Sequence, residues 1–465
     1  MSSLSSSLPL RPETREDLVD AVRADGVEFV LAMFVDMHGK PCAKLVPASA
    51  IEGFVRGGAG FAGFAAGPIG QSPADPDLLA MPDPPSYARL PWKPEVAVVQ
   101  CDPTVNGEPW PFAPRVILKR QLASLADRDL VLKVGAEVEY FLVHRLGPAA
   151  ITVADSLDAA ALPCYDARGL LRMFDHLSTV STHLNSLGWA NYANDHEDGN
   201  GQFKQNFEFA DALTTADRVI LFRYMVHALA EMAGMEATFM PKPFGNLTGS
   251  GMHTHLSLWS LSEGAPLFEV PAGSSDPRGL GLTSLAYQFI GGLLDHARSL
   301  VAVTCPTVNS YKRMGAAAPD SGASWAPAYA AYGGNNRTHM LRVPEPGRVE
   351  NRCVDGSANP YLAFTVLAAA GLDGIDRGLD PGEPNTADLF AASPEAIAAR
   401  GIVTMPPTLL HAVDALVEDG VLREALGKTP HEEYIDYFAQ TKTKEFMDFH
   451  SSVTPWEIER YLTLM

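Results

Sequence analysis

Residues Val134–Val143 read VGAEVEYFLV. Valine, tyrosine and phenylalanine dominate the stretch, and charged segments bound it, which predicts a β-strand. Side chains alternate faces along a strand, so Glu137 and Glu139 project to the same side, about 6–7 Å apart at their attachment points. Two carboxylates at that spacing repel by roughly 3 kcal/mol at an effective dielectric near 20. Either water solvates the pair, or a bound cation compensates it. Hard divalent ions such as Mg²⁺ and Mn²⁺ seek carboxylate oxygens, so the second answer requires further ligands elsewhere in the chain.

Four later segments carry polar faces of the same kind. NDHEDGNGQFKQNFEF (194–209) opens as a polar loop with Glu197. It continues as a strand with Phe203, Phe207 and Phe209 on one face and Gln202, Lys204, Asn206 and Glu208 on the other. GSGMHTHLSLW (249–259) sets Met252, Thr254, Leu256 and Leu258 against His253, His255 and Ser257. GRVENRCV (347–354) places Arg348, Glu350 and Arg352 together, and NNRTHMLRVPEPGR adds Arg337 and Arg342. Glu137, Glu139, Glu197, His253 and Glu350 form an oxygen and nitrogen donor set suited to Mg²⁺ or Mn²⁺. Arg313, Arg337, Arg342, Arg348 and Arg352 suit phosphate and carboxylate forks. Carboxylates for metal plus arginines for phosphate suggest phosphoryl transfer. Taken singly, each segment also reads as a solvated face or a satisfied core histidine.

The chain has 465 residues, of which 46% are hydrophobic, enough for a sizeable core. Its net charge of −20 argues against nucleic-acid binding, since no basic surface exists to neutralise phosphates. Five cysteines show no paired spacing, which fits a reducing compartment. The N-terminus lacks an apolar signal core, and YLAFTVLAAAGL (361–372) is too short to span a bilayer, so a cytoplasmic protein without membrane association is expected. The pattern of strands and helices is α+β. A mobile N-terminus is expected over 1–15, a small strand-rich domain over 16–114 and a large catalytic domain over 115–465. Helices are predicted over 12–26, 115–129, 214–235, 281–303, 359–375, 409–426 and 430–438. Gly57–Gly70 reads as a loop.

Taken together, GAEVEYFL, NDHEDGNGQF, MPKPFGNLTGSGMHTHLSL, NSYKR, NNRTHMLRVP and GRVENRCVDGSANPYLAF resemble the glutamine synthetase superfamily over nearly the whole chain. NSYKR, GGNNRTHM and DALTTADR are most similar to its glutamate–methylamine ligase (γ-glutamylmethylamide synthetase) branch. The resemblance implies an N-terminal β-grasp domain, a catalytic half-barrel, and a homo-dodecamer of two hexameric rings with active sites between neighbouring subunits. It implies an ADP-forming ligase in which ATP phosphorylates the γ-carboxylate of L-glutamate and an amine displaces the phosphate. It also implies two to three Mg²⁺ or Mn²⁺ ions per site. Glu137, His253 and Glu350 would hold the ion at the nucleotide phosphates, and Glu139 and Glu197 the ion nearer glutamate. Arg313 and Arg352 would bind the glutamate carboxylate and the transferring phosphoryl group, with His253 and Gly249 beside the amino acid. His255, Ser257, Arg337, Arg342 and Arg348 would line ATP, with Arg337 and Arg313 also acting in catalysis.

Four departures bear on the nucleophile, on modification and on the metal. Ammonia-using members carry an acid in an FDGSS-like loop, whereas this chain has FAGFA, with Ala62 in that place. Phe61, Ala62 and Phe64 would make a less polar amine pocket, favouring a small alkylamine over ammonium. Asp320 stands in a second flap that normally carries an acid, and a solvated turn is the simpler reading of it. An alkylammonium must lose a proton before attack, and Asp195 and Asp198 are candidate bases beside Glu197. Ala387 replaces a tyrosine that some bacterial members adenylylate, so that modification is not expected. Lastly, Lys204 replaces the glutamate that normally ligates metal. Its ammonium could replace an ion by pairing with Glu139 and Glu197, Glu208 could substitute through a bulge, or the chain could be an inactivated variant. The expectation adopted is weaker metal binding and reduced turnover in an intact scaffold. The alternatives to an alkylamine ligase are an ammonia-using glutamine synthetase and a non-catalytic assembly.

Overall fold

The computed structural model describes residues 12–314, 326–429 and 431–464. Asp320 and the first eleven residues lie outside them.

Strand β1, Phe29–Val35, is an unbroken apolar run, FVLAMFV. Such a run belongs to a strand covered on both faces. It pairs antiparallel with β2, Pro41–Pro47, through the His38–Gly39 turn, and its other edge pairs in parallel with a later strand, Val96–Val105. Between these lie β3, Ala59–Phe61, and β4, Leu78–Pro82, which makes Val96–Val105 β5, and the sheet order is β2–β1–β5–β4–β3. The predicted 57–70 loop thus contains β3 and a helical turn at Gly63–Ala66, since small and apolar residues there pair with β4. Val30, Ala32 and Phe34 join Ala97 and Val99 in a core closed by two helices, α1 at Arg15–Ala24 and α2 at Ile51–Gly57. Met33, Val35, Val96 and Val98 face the opposite way, into the large core.

The large domain begins with α3, Pro114–Ala126, and β6, Leu130–Gly147, which is much longer than the ten residues that suggested it. Two further strands, β7 at Asn191–His196 and β8 at Gln202–Phe207, join β6 on one side. On its other side runs β9, Met252–Ser260, followed across the sheet by short strands β10 at Tyr332–Gly333, β11 at Leu341–Arg342 and β12 at Val349–Asn351. The order is β7–β8–β6–β9–β12–β11–β10. Leu132, Val134, Ala136, Val138 and Tyr140 face a core shared with α4, Ala212–Met232. The predicted 281–303 helix is two helices, α5 at Ser284–Asp295 and α6 at Ala297–Thr304, broken at His296. The apolar 361–372 stretch lies within α7, Pro360–Asp376, a core helix whose crossing with α5 requires Gly292: a Cβ there would stand 2.0 Å from the Ala370 carbonyl oxygen. The predicted 409–426 helix also divides, into α8 at Leu409–Val417 and α9 at Gly420–Leu426, because Asp419 caps the second. A last long helix, α10, runs over Tyr434–His450. No helix among the described residues is long and apolar enough to cross a membrane, and all five thiols are free.

Two polar contacts lock the domains together. Arg115, 3% exposed, donates to Asp83 and Asp102 of the small domain at 2.6 Å each and to Asp217 of α4 at 2.9 and 3.0 Å. Tyr361 Oη also donates to Asp217, at 2.7 Å. Burial opposes the Arg115 charge, but the Asp217 and Asp102 carboxylates hold its pKa well above the ordinary value. Asn359 accepts from the Tyr361 amide at the start of α7 and donates to the Asp36 and Met37 carbonyls at 3.0 and 3.2 Å. Removing one partner from a buried ion cluster leaves the rest uncompensated. Arg115→Met is therefore expected to lower stability by about 3–5 kcal/mol, read as a fall in urea midpoint. A loss near that of an ordinary surface substitution, about 0.5 kcal/mol, would show that the three aspartates are satisfied without it.

Candidate active site

Register brings the candidate residues onto one face of the large sheet. Glu137 pairs with His253, Gly135 with His255, and His255 with Glu350. Lys204 pairs with Glu139, Asp195 with Lys204, and Arg342 with Glu350. Because alternate residues share a face, Lys204, Glu139, Glu137, His253, His255, Glu350 and Arg342 converge. The apolar residues between them fill the core behind. This polar face is not open to water: Glu350 is 1% exposed, His253 6% and Glu139 7%.

The contacts form two linked chains. In the first, Lys204 Nζ stands 2.8 Å from Glu197 Oε1 and 3.1 Å from Glu137 Oε2. Glu137 Oε1 bonds His255 Nε2 at 2.9 Å, and His255 Nδ1 accepts from Arg348 Nη1 at 3.0 Å. In the second, Glu350 accepts from Arg352 at 2.6 Å and from Arg342 at 2.7 Å. His253 Nδ1 lies between the two, 3.6 Å from Glu350 and 3.9 Å from each of Glu137 and Glu139. Lys204 thus pairs with Glu137 rather than with its direct neighbour Glu139. The reason is local: Glu139 Oε2 is taken by the Gly251 amide at 2.6 Å, and the long lysine chain reaches the diagonal carboxylate.

Charge and burial set the protonation states. Burial pushes the Lys204 ammonium toward neutrality, yet the carboxylates of Glu197, Glu137 and Glu139 hold its pKa well above the ordinary lysine value. Burial likewise opposes ionisation of Glu137, but bonds from His253 and His255 and the Lys204 charge hold it well below the usual range. Against burial, Arg352 leads the groups that bring Glu350 down to about 2. Burial, reinforced by the Glu197 charge, pushes Glu139 up to about 7, and burial with Arg352 pushes His253 down to about 3, leaving a neutral imidazole. Burial also raises Asp195, which Lys204 partly offsets.

Glu197 is positioned by residues that the sequence patterns left unassigned. Asp158 is buried and accepts from the Gly201 amide at 2.6 Å and from Asn200 at 3.0 Å, and bonds His196 at 2.7 Å. His196 Nδ1 bonds the Glu197 carbonyl at 2.8 Å. No periodic signal marks Asp158, some 40 residues upstream. Glu208 is exposed beyond the end of β8, with its amide on the Trp189 carbonyl, so the structure offers no bulge that would turn it inward. Phe209, expected on one strand face with Phe203 and Phe207, is likewise half exposed past that strand end.

Arg313 sits at the end of a helical turn, Ser310–Arg313, and donates to the Cys353 and Arg352 carbonyls at 2.8 and 3.1 Å. Its stem lies against Gly249, where a Cβ would stand 2.7 Å from Arg313 Cγ and 2.5 Å from the Pro241 carbonyl oxygen. Ser257 lies farther along β9, accepting from Trp259 at 3.0 Å. Arg337 is exposed on the turn before β11, and Asp198 is buried. Phe61, Ala62 and Phe64 sit in the small domain instead. Phe61 packs edge-on against Phe34 at 4.9 Å and beneath Lys44, while Ala62 and Phe64 are exposed.

Ligands held about 2.1 Å from one hard ion stand about 3 Å apart when adjacent and about 4.2 Å apart when opposite. His253 stands 3.6 Å from Glu350 and 3.9 Å from Glu137 and Glu139, donors of the kind a divalent ion takes. The ligand atoms of this set do not all come within 4.8 Å of one another, and both Glu350 oxygens accept from guanidiniums, so an ion would have to draw them together. The space between Glu137 and Glu197 does not fit one, because an ammonium already lies there.

A two-domain α+β chain whose sheet gathers acids, imidazoles and arginines on one inner face defines a class of ligase. Residues 111–461 match the catalytic-domain family of glutamine synthetase, and the chain belongs to that family. It is 42% identical over 441 residues to the glutamine synthetase of Rhizobium meliloti (strain 1021), across 95% of this chain and 98% of that one. It is 41% identical over 442 residues to the glutamate–methylamine ligase of Methyloversatilis universalis, across 95% of this chain and 97% of that one. A solved structure described as a GmaS/ADP complex matches with a TM-score of 0.88 and 47% identity, over 96% of this chain and 99% of the other.

A separate group, Asp295, His296 and Asp373, does bring its ligand atoms within 4.8 Å of one another. A guanidinium already balances it: Arg377 Nη1 donates to Asp295 and Asp373 at 2.7 Å each. His296 is bonded at both nitrogens, to Asp419 at 2.7 Å and Asp373 at 3.1 Å. We read it as an ion-pair clamp joining α5, α6, α7 and α9. Burial works against the imidazolium, but bonds from Asp419 and Asp373 raise its pKa above the ordinary 6.5. A raised folded pKa adds stability that is complete below the unfolded value and disappears as pH rises through the folded one. The stability gap between the parent and His296→Gln should therefore be widest, about 2 kcal/mol, in mildly acid solution and should narrow as pH climbs through the raised value. A gap independent of pH, measured by urea denaturation, would refute the clamp.

Proposed function

We propose that this chain is an ATP-dependent ligase that joins the γ-carboxylate of L-glutamate to a small alkylamine through γ-glutamyl phosphate. The observation that carries the proposal is the convergence of Glu137, Glu139, Glu197, His253 and Glu350 with Arg342, Arg348 and Arg352 on one shielded sheet face. Similarity to a glutamate–methylamine ligase and to an ADP-bound GmaS structure supports it.

In this reading Glu137, His253 and Glu350 hold the ion, which supplies positive charge to the nucleotide phosphates when bound. His255, Ser257, Arg337, Arg342 and Arg348 line the nucleotide. Arg348 and His255 fix Glu137 from behind. Arg313 and Arg352 hold the glutamate carboxylate and the transferring group, and Gly249 leaves room for the Arg313 stem. Asp195 accepts the proton that the alkylammonium must lose, a role that its raised pKa suits. Phe61, Ala62 and Phe64 form the amine pocket from the small domain of a neighbouring subunit, which requires a ring assembly such as a dodecamer. The Lys204 ammonium weakens ion binding on the glutamate side, so turnover is slow and Lys204→Glu is faster. A second reading, an ammonia-using glutamine synthetase, draws on the Rhizobium relative.

ATP-dependent phosphate release should be higher with methylamine than with ammonia, by about 10–200-fold in kcat/KM, in both the parent and Lys204→Glu. Ammonia outpacing every alkylamine would favour the second reading, and no amine-dependent release in either form would end the ligase reading. Gly249→Ala should lower kcat/KM by about 100-fold, the scale of an ångström-sized misplacement. An unchanged value would remove Arg313 and Gly249 from the glutamate end.

A further inference from the structure

Glu137, Glu139 and Glu197 bring three carboxylates to one buried patch, with Asp195 beside them. Such a patch requires a cation. One is already present within the chain: Lys204 Nζ lies at ion-pair distance from both Glu197 and Glu137, its side chain only 12% exposed. Lysine's stem is long and flexible, yet this one is fixed from both sides. On one flank it is paired across β6 with Glu139, and on the other across β7 with Asp195. The Glu197 loop that closes the pair is itself pinned by Asp158 through Gly201 and Asn200.

We propose that the Lys204 ammonium is a resident, covalently attached cation that takes the place of a divalent ion between Glu137 and Glu197. The chain then has no room for a divalent ion between these two carboxylates, and an exchangeable ion binds at other donors. This deepens the ligase reading of the same site, but it concerns ion occupancy and does not require turnover.

Two electrostatic facts support the assignment. A divalent ion placed on the oxygens that Lys204 occupies would lie within a few ångströms of an ammonium and be repelled by it. Lys204 already stands 2.8 and 3.1 Å from the two carboxylates, so their charge is balanced without such an ion. The position between Glu137 and Glu197 is therefore served by a side chain that chelators cannot remove.

The test is a count of Mn²⁺ bound per chain on the full-length protein without nucleotide, by electron paramagnetic resonance and equilibrium dialysis. Lys204→Glu should bind one more Mn²⁺ per chain than the parent. Equal counts would overturn the proposal, because the ammonium would then not be taking an ion's place. Lys204→Gln removes the charge and keeps a polar end, one atom shorter, and guards against a misfolded glutamate variant. Its melting temperature without metal should fall below that of the parent, and saturating Mn²⁺ should raise it more than it raises the parent. An identical Mn²⁺-induced shift in the two proteins would also overturn the proposal. Ion counts that differ as expected, with no amine-dependent phosphate release, would leave this inference standing and remove only the ligase reading.

Discussion

Repulsion between carboxylates on one face of one strand is the constraint around which the large domain is organised. Glu137 and Glu139 share a face because strands alternate, and the sheet has no other way to present them. Burial makes the conflict worse, and burial together with the Glu197 charge raises the pKa of Glu139. The fold answers with donors and cations from the flanking strands and loops: Lys204 from β8, His255 from β9 backed by Arg348, and Arg342 and Arg352 on Glu350. A face so charged could not be packed against helices, so the apolar side takes that role and the polar side keeps the ion-paired cluster.

The same logic operates at the junction of the two domains. Asp83, Asp102 and Asp217 come from separate elements and meet around Arg115, with Lys119 also paired to Asp102 and Asp83. Asn359 performs a neutral version of this task at the start of α7, serving the small domain and the helix with one amide group. The small domain is therefore oriented rigidly relative to the catalytic sheet of its own chain. If a neighbouring subunit's small domain completes the amine pocket, that orientation sets where the pocket wall is delivered.

Much of this was legible in the residues. The alternation in GAEVEYFL and GMHTHLSLW predicts which side chains share the polar face, because a period of two leaves no freedom once one face is buried. The central helix over 359–375 was legible for a similar reason: it is apolar on every side and too short for a membrane. What escaped was set by tertiary contacts with no local signature. His296 interrupts a helix that its neighbours would continue, because its two nitrogens meet carboxylates from α7 and α9. Of the two partners expected for Lys204, Glu197 is met and Glu139 is not, because Gly251, more than a hundred residues away from Glu139, claims that carboxylate first. Asp158 organises the Glu197 loop from a stretch with no pattern at all.

Strand β1 carries a further consequence. Its seven residues feed two cores in alternation, Val30, Ala32 and Phe34 to one and Met33 and Val35 to the other. Inserting or deleting a single residue there would exchange both sets at once. Most strands can hide a slip behind a solvated side. This one has none, so its length is among the features of the chain least free to drift, although no residue in it touches the chemistry.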